Sequence, residues 1–127
     1  MRPLLDEETI DAIVERAIEA GLADLPAAFA ERLGSVAIVV EDEATAAQLA
    51  ETGAPGLFGL YQGVPRTAWG AAGAALPSKI TLFRGPLVRA HPDPDGLFAA
   101  VVETLHHEIA HHFGISDARL LELRRGG

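Results

Sequence analysis

The chain has 127 residues and no cysteine, and its 10 basic and 18 acidic residues give a formal net charge of −8 at pH 7. The length suits a single domain over residues 1–127, and the acidic balance argues against nucleic-acid and anionic-membrane partners because both bind basic faces. Without cysteine, disulfides and thiolate metal ligands are excluded, so a metal site has to use histidine nitrogen and carboxylate oxygen.

Targeting and membrane-spanning segments are not predicted. The N-terminal stretch MRPLLDEETIDAIVERA has its first acidic residue at Asp6 and lacks the uninterrupted apolar run of a signal peptide. No later stretch is long and apolar enough to span a bilayer. We therefore expect a cytoplasmic protein without a membrane partner.

The first part of the chain predicts two helices and a strand. Residues 6–20 have helical periodicity, with Asp6 as the N-cap and Gly21 as the stop. LPAAFAERLG predicts a short second helix with Pro26 in its first turn. SVAIVV is a β-branched apolar run and predicts a buried strand. The stretch EDEATAAQLAETG is compatible with either a helix or a loop.

The rest of the chain predicts two strands and two helices. GLFGLYQG and SKITLFRG are apolar runs bounded by turn-forming residues, which is typical of strands, and VPRTAWGAAGAALP between them predicts a loop. Asp93 or Asp95 is expected to cap a long helix over roughly 96–113, which Gly114 ends, and SDARLLEL begins a last short helix. This order of elements predicts an α+β domain whose small sheet is covered on one side.

The long helix carries four of the five histidines, in and around the pattern His107-Glu108-x-x-His111. At about 100° per residue, His111 falls about 40° from His107, so both imidazoles project from one face and the apolar side chains from the other. This spacing lets two imidazoles bind one ion, with Glu108 beside them to act on a metal-bound water. The alternative is a polar helix face whose histidines and glutamate are simply solvated.

A third ligand is expected just beyond the helix. Gly114 permits a sharp change of direction, which would return Asp117 to the two histidines. The set His107, His111 and Asp117 would leave a fourth position open for water, as a catalytic zinc site requires. Glu122, on the following helix, is the alternative third ligand.

The other polar groups near the motif are expected to have supporting roles. His112 falls in the apolar sector of the helix and is expected to be a core or boundary histidine hydrogen-bonded to backbone. His106 lies at the edge of that sector and is expected at the surface or next to a metal ligand, without binding the metal itself. His91 is expected to be a solvated loop residue that could approach a cleft. Tyr61, the only tyrosine, is expected to pack in the interior, although it is the one phenol available to stabilise an oxyanion.

Three segments, covering roughly residues 22–123, resemble the small bacterial zincin-like metallopeptidases, or minimal zincins. They are DLPAAFAERLGSVAIVVED, then GLYQGVPRT with LPSKITLFRGPL, and finally TLHHEIAHHFGISDARLLEL, which matches an H-E-x-x-H-x-x-G-x-x-D signature. The resemblance implies a minimal zincin-like fold, in which a small mixed sheet and further helices pack against the motif helix. It also implies Zn²⁺ bound by His107, His111 and Asp117, with Glu108 as the general base. Trp69, Ser116 and Leu121 stand where the family commonly has an arginine, an acidic residue and a histidine.

The expected activity is hydrolysis of a peptide or protein substrate by zinc-activated water, with Glu108 passing the proton to the leaving amine. The substrate would pair with a sheet edge, for which KITLFRG is the candidate. The alternative is a catalytically silent metal-binding or protein-interaction module that retains the site. That alternative is favoured by the lack of a methionine turn of the metzincin kind, because the single methionine is Met1. The oligomeric state is left open.

Overall fold

The computed structural model describes residues 5–34, 36–52, 57–63 and 78–125. Within these ranges the chain forms six helices and three strands. In chain order they are α1 (Glu7–Ala23), α2 (Ala27–Arg32), β1 (Ala37–Glu41), α3 (Ala46–Thr52), β2 (Gly59–Gln62), β3 (Lys79–Phe83), α4 (Arg84–Ala90), α5 (Pro94–Phe113) and α6 (Asp117–Arg124). The predicted loop VPRTAWGAAGAALP, with Trp69, lies outside the described residues.

Helix α1 begins where the sequence predicts and ends later. The Asp6 carboxylate accepts a hydrogen bond of 2.7 Å from the Thr9 N–H, which confirms the N-cap. The predicted stop at Gly21 is wrong, since the helix continues to Ala23. Gly21 lies in the contact with α5, where a Cβ atom would come within 3.0 Å of the Leu105 side chain. This glycine therefore permits close helix packing instead of ending the helix.

The sheet is mixed, with strand order β1-β3-β2. β3 pairs in parallel with β1 and antiparallel with β2, and its residues Ile80 to Phe83 are fully buried. Two predictions are corrected by this order. KITLFRG is the central strand and not an edge, and its last two residues begin α4. The run SVAIVV contributes Ala37 to Val40 to β1, which is an outer strand of the described sheet, and Val40 is 41% exposed. An apolar run predicts a strand, but its position in the sheet depends on pairings with distant residues.

In the ambiguous stretch EDEATAAQLAETG, Glu41 ends β1, residues 42–45 form a loop and Ala46–Thr52 form α3. The Gln48 N–H donates to the Thr45 hydroxyl over 3.1 Å, and the Thr45 N–H donates to the Gln48 side-chain carbonyl over 2.8 Å. This reciprocal capping box satisfies two N–H groups at the start of α3.

Helix α5 forms the centre of the fold. Its N-cap is Asp93, whose carboxylate accepts from the Gly96 N–H over 2.8 Å, so the helix starts two residues earlier than predicted. Gly114 ends it in the left-handed conformation, at φ 69°. The apolar side of α5 packs against α1 and against β2 and β3. The predicted α+β class, with a small mixed sheet packed on the motif helix, is confirmed. None of the helices in the described ranges has the length and apolarity needed to cross a membrane.

Candidate functional site

The motif residues of α5 are divided between solvent and the interior. The side chains of His107 and His111 are 60% and 59% exposed, whereas that of Glu108 is 8% exposed. The Glu108 carboxylate lies 3.9 Å from Nε2 of His107 and 4.0 Å from Nδ1 of His111. The two imidazoles therefore flank one buried carboxylate, as their i, i+4 spacing allows.

The turn after α5 brings Asp117 to the first histidine. The left-handed Gly114 reverses the chain, and Ser116 caps α6 by accepting from the Arg119 N–H over 3.0 Å. Nδ1 of His107 donates to the Asp117 carboxylate, at 2.8 Å to Oδ2 and 3.1 Å to Oδ1. This hydrogen bond is the main reason why the pKa of His107 is raised above its usual value. Asp117 is thus placed beside the motif as the glycine turn predicts.

Glu122, the alternative third ligand, has a different partner. Its carboxylate accepts a hydrogen bond of 2.9 Å from the Arg119 guanidinium, one turn earlier on α6. The pair is exposed on both sides, and such surface ion pairs are easily broken.

The donor groups fit zinc in their chemistry. Two imidazoles and a nearby carboxylate, with no thiolate, are a common ligand set of catalytic zinc. Among the described residues, however, no group of three His, Asp or Glu side chains is arranged to hold a metal ion. In this arrangement Asp117 is bonded to His107, so zinc binding by His107, His111 and Asp117 requires the three side chains to readjust.

Burial determines the protonation behaviour of Glu108. Removal from solvent raises the pKa of its carboxyl group, and this effect is partly offset by the nearby His107 and His111 and by a hydrogen bond from the backbone N–H of Tyr61. A carboxylate with a raised pKa is suited to accept and return a proton near neutral pH.

The register of β2 explains why a backbone N–H reaches Glu108. The Phe83 N–H donates to the Phe58 carbonyl over 2.8 Å, so in an antiparallel ladder residues 58, 60 and 62 bond to β3. The main-chain groups of Gly59 and Tyr61 then point away from β3, along the outer edge of β2. The Tyr61 N–H at this edge therefore faces the motif helix, where it bonds to Glu108.

Gly59 allows β2 to approach α5 closely. A Cβ atom at this position would lie 2.7 Å from Cγ2 of Thr104 and 3.4 Å from Cγ of Glu108. No role is predicted for Gly59 above, although a glycine inside a strand is a known signal for a close approach by another element.

A buried hydrogen-bond chain surrounds Tyr61. Its hydroxyl lies 3.1 Å from the Ser78 hydroxyl and 3.1 Å from Nδ1 of His112, and its ring centroid is 5.3 Å from that of His111. The predicted interior positions of Tyr61 and His112 are confirmed. Ser78 is not among the predicted site residues, because nothing in its local pattern distinguishes it from a turn residue.

Two further histidines are less exposed than expected, and His91 reaches the groove beside the motif, as its alternative prediction allowed. His106 is buried instead of lying at the surface, because α1 covers that side of α5, and its Nε2–H donates to the Gly21 carbonyl over 2.8 Å. Burial lowers its pKa. His91 is half-buried, with its ring edge-on to Phe58 at 5.9 Å between centroids. His106 therefore joins α5 to α1, and His91 packs against the segment before β2.

A groove leads along α5 to the motif. This α5–α6 groove has a volume of about 920 Å³, and His107, Glu108 and Asp117 lie in its wall. Its apolar lining comes from α5, from α6 and from the residues just before β2, and includes Leu57, Phe58, Phe98, Val102 and Leu121. The groove can therefore receive apolar side chains next to the buried carboxylate.

The sequence also matches a known protein family. The family model described as "Zincin-like metallopeptidase" matches residues 33–126, well over half of the chain, and includes the motif helix and α6. No curated protein matches the sequence. The chain belongs to the family of zincin-like metallopeptidases.

Proposed function

We propose that the protein is a zinc-dependent peptidase in which Glu108 is the general base. The observation that carries the proposal is the buried Glu108 carboxylate, which lies about 4 Å from nitrogens of both motif imidazoles and in the wall of the α5–α6 groove. Family membership supports the peptidase class.

His107, His111 and Asp117 are the proposed zinc-binding residues. When bound, zinc supplies a Lewis acid that polarises the scissile carbonyl and makes water acidic. Glu108 takes up the proton of the attacking water on a carboxylate oxygen and passes it to the leaving amine. The Tyr61 N–H keeps this carboxylate oriented, and burial brings its pKa towards the working pH.

The proposed substrate is an extended peptide or protein segment. Since KITLFRG is the central strand, the proposed pairing edge is β2, the outer strand that contacts the motif helix. The main-chain groups of Gly59 and the carbonyl of Tyr61 point outward there, whereas the Tyr61 N–H is bonded to Glu108. Apolar side chains of the substrate would enter the α5–α6 groove, beside Val102 and Leu121. The net charge of −8 supports a peptide and not a nucleic acid as partner, and we propose a cytoplasmic location.

A metal-binding module without peptidase activity is the second candidate. It is favoured by the bond between Asp117 and His107, since an aspartate that stays bonded to His107 does not complete the three-ligand site of a catalytic zinc, while the two imidazoles can still bind an ion. In that case zinc would serve structure or partner binding, and Glu108 would have no proton to transfer.

Zinc binding and hydrolysis are tested separately. Zinc content and affinity are measured by elemental analysis and calorimetry for wild type, His111→Ala, Asp117→Asn and Glu122→Gln; a loss in the first two variants and not in Glu122→Gln supports the proposed ligands. Hydrolysis of a peptide library is compared between wild type and Glu108→Gln. Loss of hydrolysis with retained zinc supports the peptidase, whereas zinc binding without hydrolysis in the wild type supports the silent module.

A further inference from the structure

We propose that His112 and Ser78 are positioning residues for Glu108, which act through Tyr61 to hold β2 on α5. The proposal rests on the proposed function, since Glu108 is taken to be the general base. Neither residue touches the substrate or the metal in this scheme. Their role is to hold the Tyr61 hydroxyl, so that the N–H of the same residue stays on the Glu108 carboxylate.

The Tyr61 hydroxyl is held from two sides. Ser78 immediately precedes β3 and His112 lies on α5, and both approach the phenol oxygen to 3.1 Å. The three residues are 3%, 5% and 0% exposed in the order Ser78, Tyr61, His112. The hydroxyl donates to one neighbour and accepts from the other, and hydrogen bonds linked in this way in a low-dielectric interior strengthen one another.

Tyr61 thereby contacts α5 at two points, one helical turn apart. Its N–H bonds to Glu108 and its hydroxyl to His112, and these residues have i, i+4 spacing and therefore lie on the same face of α5. The Tyr61 side chain spans the turn between them, with its ring beside His111. A shift of β2 along or away from α5 would break both contacts together.

Simple core packing does not account for this arrangement. A phenylalanine and a leucine would fill the same space without placing polar atoms in the interior, where each polar group destabilises the fold unless it is hydrogen-bonded. The chain instead buries the Ser78 hydroxyl, the Tyr61 phenol and the His112 imidazole in hydrogen-bond contact with one another, one helical turn from Glu108.

The test compares variants that remove or retain the hydrogen bond. Tyr61→Phe and His112→Leu remove it, whereas His112→Asn keeps a polar group near the position of Nδ1 and serves as the conservative rescue. Each is measured for kcat, KM, zinc affinity and hydrogen exchange of the backbone amide at position 61. Ser78→Ala, a smaller change, is measured in the same way if His112→Leu does not fold.

We expect kcat to fall about tenfold or more in Tyr61→Phe and His112→Leu, with KM and zinc affinity unchanged and with faster exchange of the amide at position 61. His112→Asn should recover most of both losses. Unchanged kcat and exchange in Tyr61→Phe would overturn the proposal, as would a uniform rise in exchange throughout the protein, which indicates a purely structural role. If the wild type cleaves no peptide, the proposed function fails, and the exchange measurement alone decides whether His112 and Ser78 position Glu108.

Discussion

Gly59 is the most sensitive point of the contact between β2 and the motif helix. In Gly59→Ala the new methyl group would lie 2.7 Å from Cγ2 of Thr104, about 0.7 Å inside the 3.4 Å at which ordinary contact begins. The nearest atoms besides Thr104 are the Thr81 carbonyl at 3.3 Å and Cγ of Glu108 at 3.4 Å. The main conflict is therefore with the Thr104 methyl group, and a shift of β2 away from α5 would relieve it.

The expected loss of stability follows from two opposing effects. Overpacking of this kind costs about 1–3 kcal/mol, whereas alanine in place of glycine restricts the unfolded chain and recovers about 0.4–1 kcal/mol. A net loss of roughly 1–2 kcal/mol is expected. The same displacement would lengthen the contact between the Tyr61 N–H and Glu108, and errors of about 1 Å near a reacting group lower rates by up to about a hundredfold.

The assay is a double-mutant cycle with Thr104→Ser, which removes Cγ2 and keeps the hydroxyl. Urea unfolding of the zinc-free protein gives the stability, and peptide hydrolysis of the zinc-loaded protein gives the rate. Thr104→Ser should restore most of what Gly59→Ala loses in both measurements. The reasoning is refuted if Gly59→Ala is as stable as the wild type, or if the loss is equally large in the Thr104→Ser background.

Further predictions concern protonation and helix packing. Because burial raises the pKa of Glu108 above the usual 4.5 of a glutamate, ionisation of this carboxyl group destabilises the fold. Glu108→Gln should therefore raise Tm of the zinc-free protein at neutral pH, and the gain should disappear as the pH falls below about 4.5, where the folded and unfolded carboxyl groups both become protonated. Equal Tm values at neutral pH would contradict this. Asp117→Asn should lower the pKa of His107 in the zinc-free protein, since their hydrogen bond is the main cause of its rise; an NMR titration with an unchanged midpoint would disprove the pairing. Gly21→Val should destabilise the protein by about 1–3 kcal/mol in urea unfolding because of the contact with Leu105, whereas Gly34→Val, with nothing within 4 Å, should cost less; similar losses would contradict the packing argument.

The amino-acid sequence by itself determines the motif helix and its C-terminus, and it narrows the N-cap to Asp93 or Asp95. Gly114 ends α5, and the spacing of His107 and His111 places both imidazoles on one face. These features depend on side chains within a few residues of one another, so local periodicity and capping rules are sufficient to predict them. The placement of Asp117 beside His107 belongs to the same class, because one glycine turn separates it from the helix.

The tertiary structure alone decided which strand is central, which histidines are buried and what surrounds Glu108. β3 lies between β1 and β2, α1 covers His106, and Tyr61 reaches both Glu108 and His112. Each of these contacts joins residues that are tens of positions apart along the chain. Local patterns specify which face of an element is apolar, but several partners can cover that face equally well; only the packing of all elements around one core selects among them.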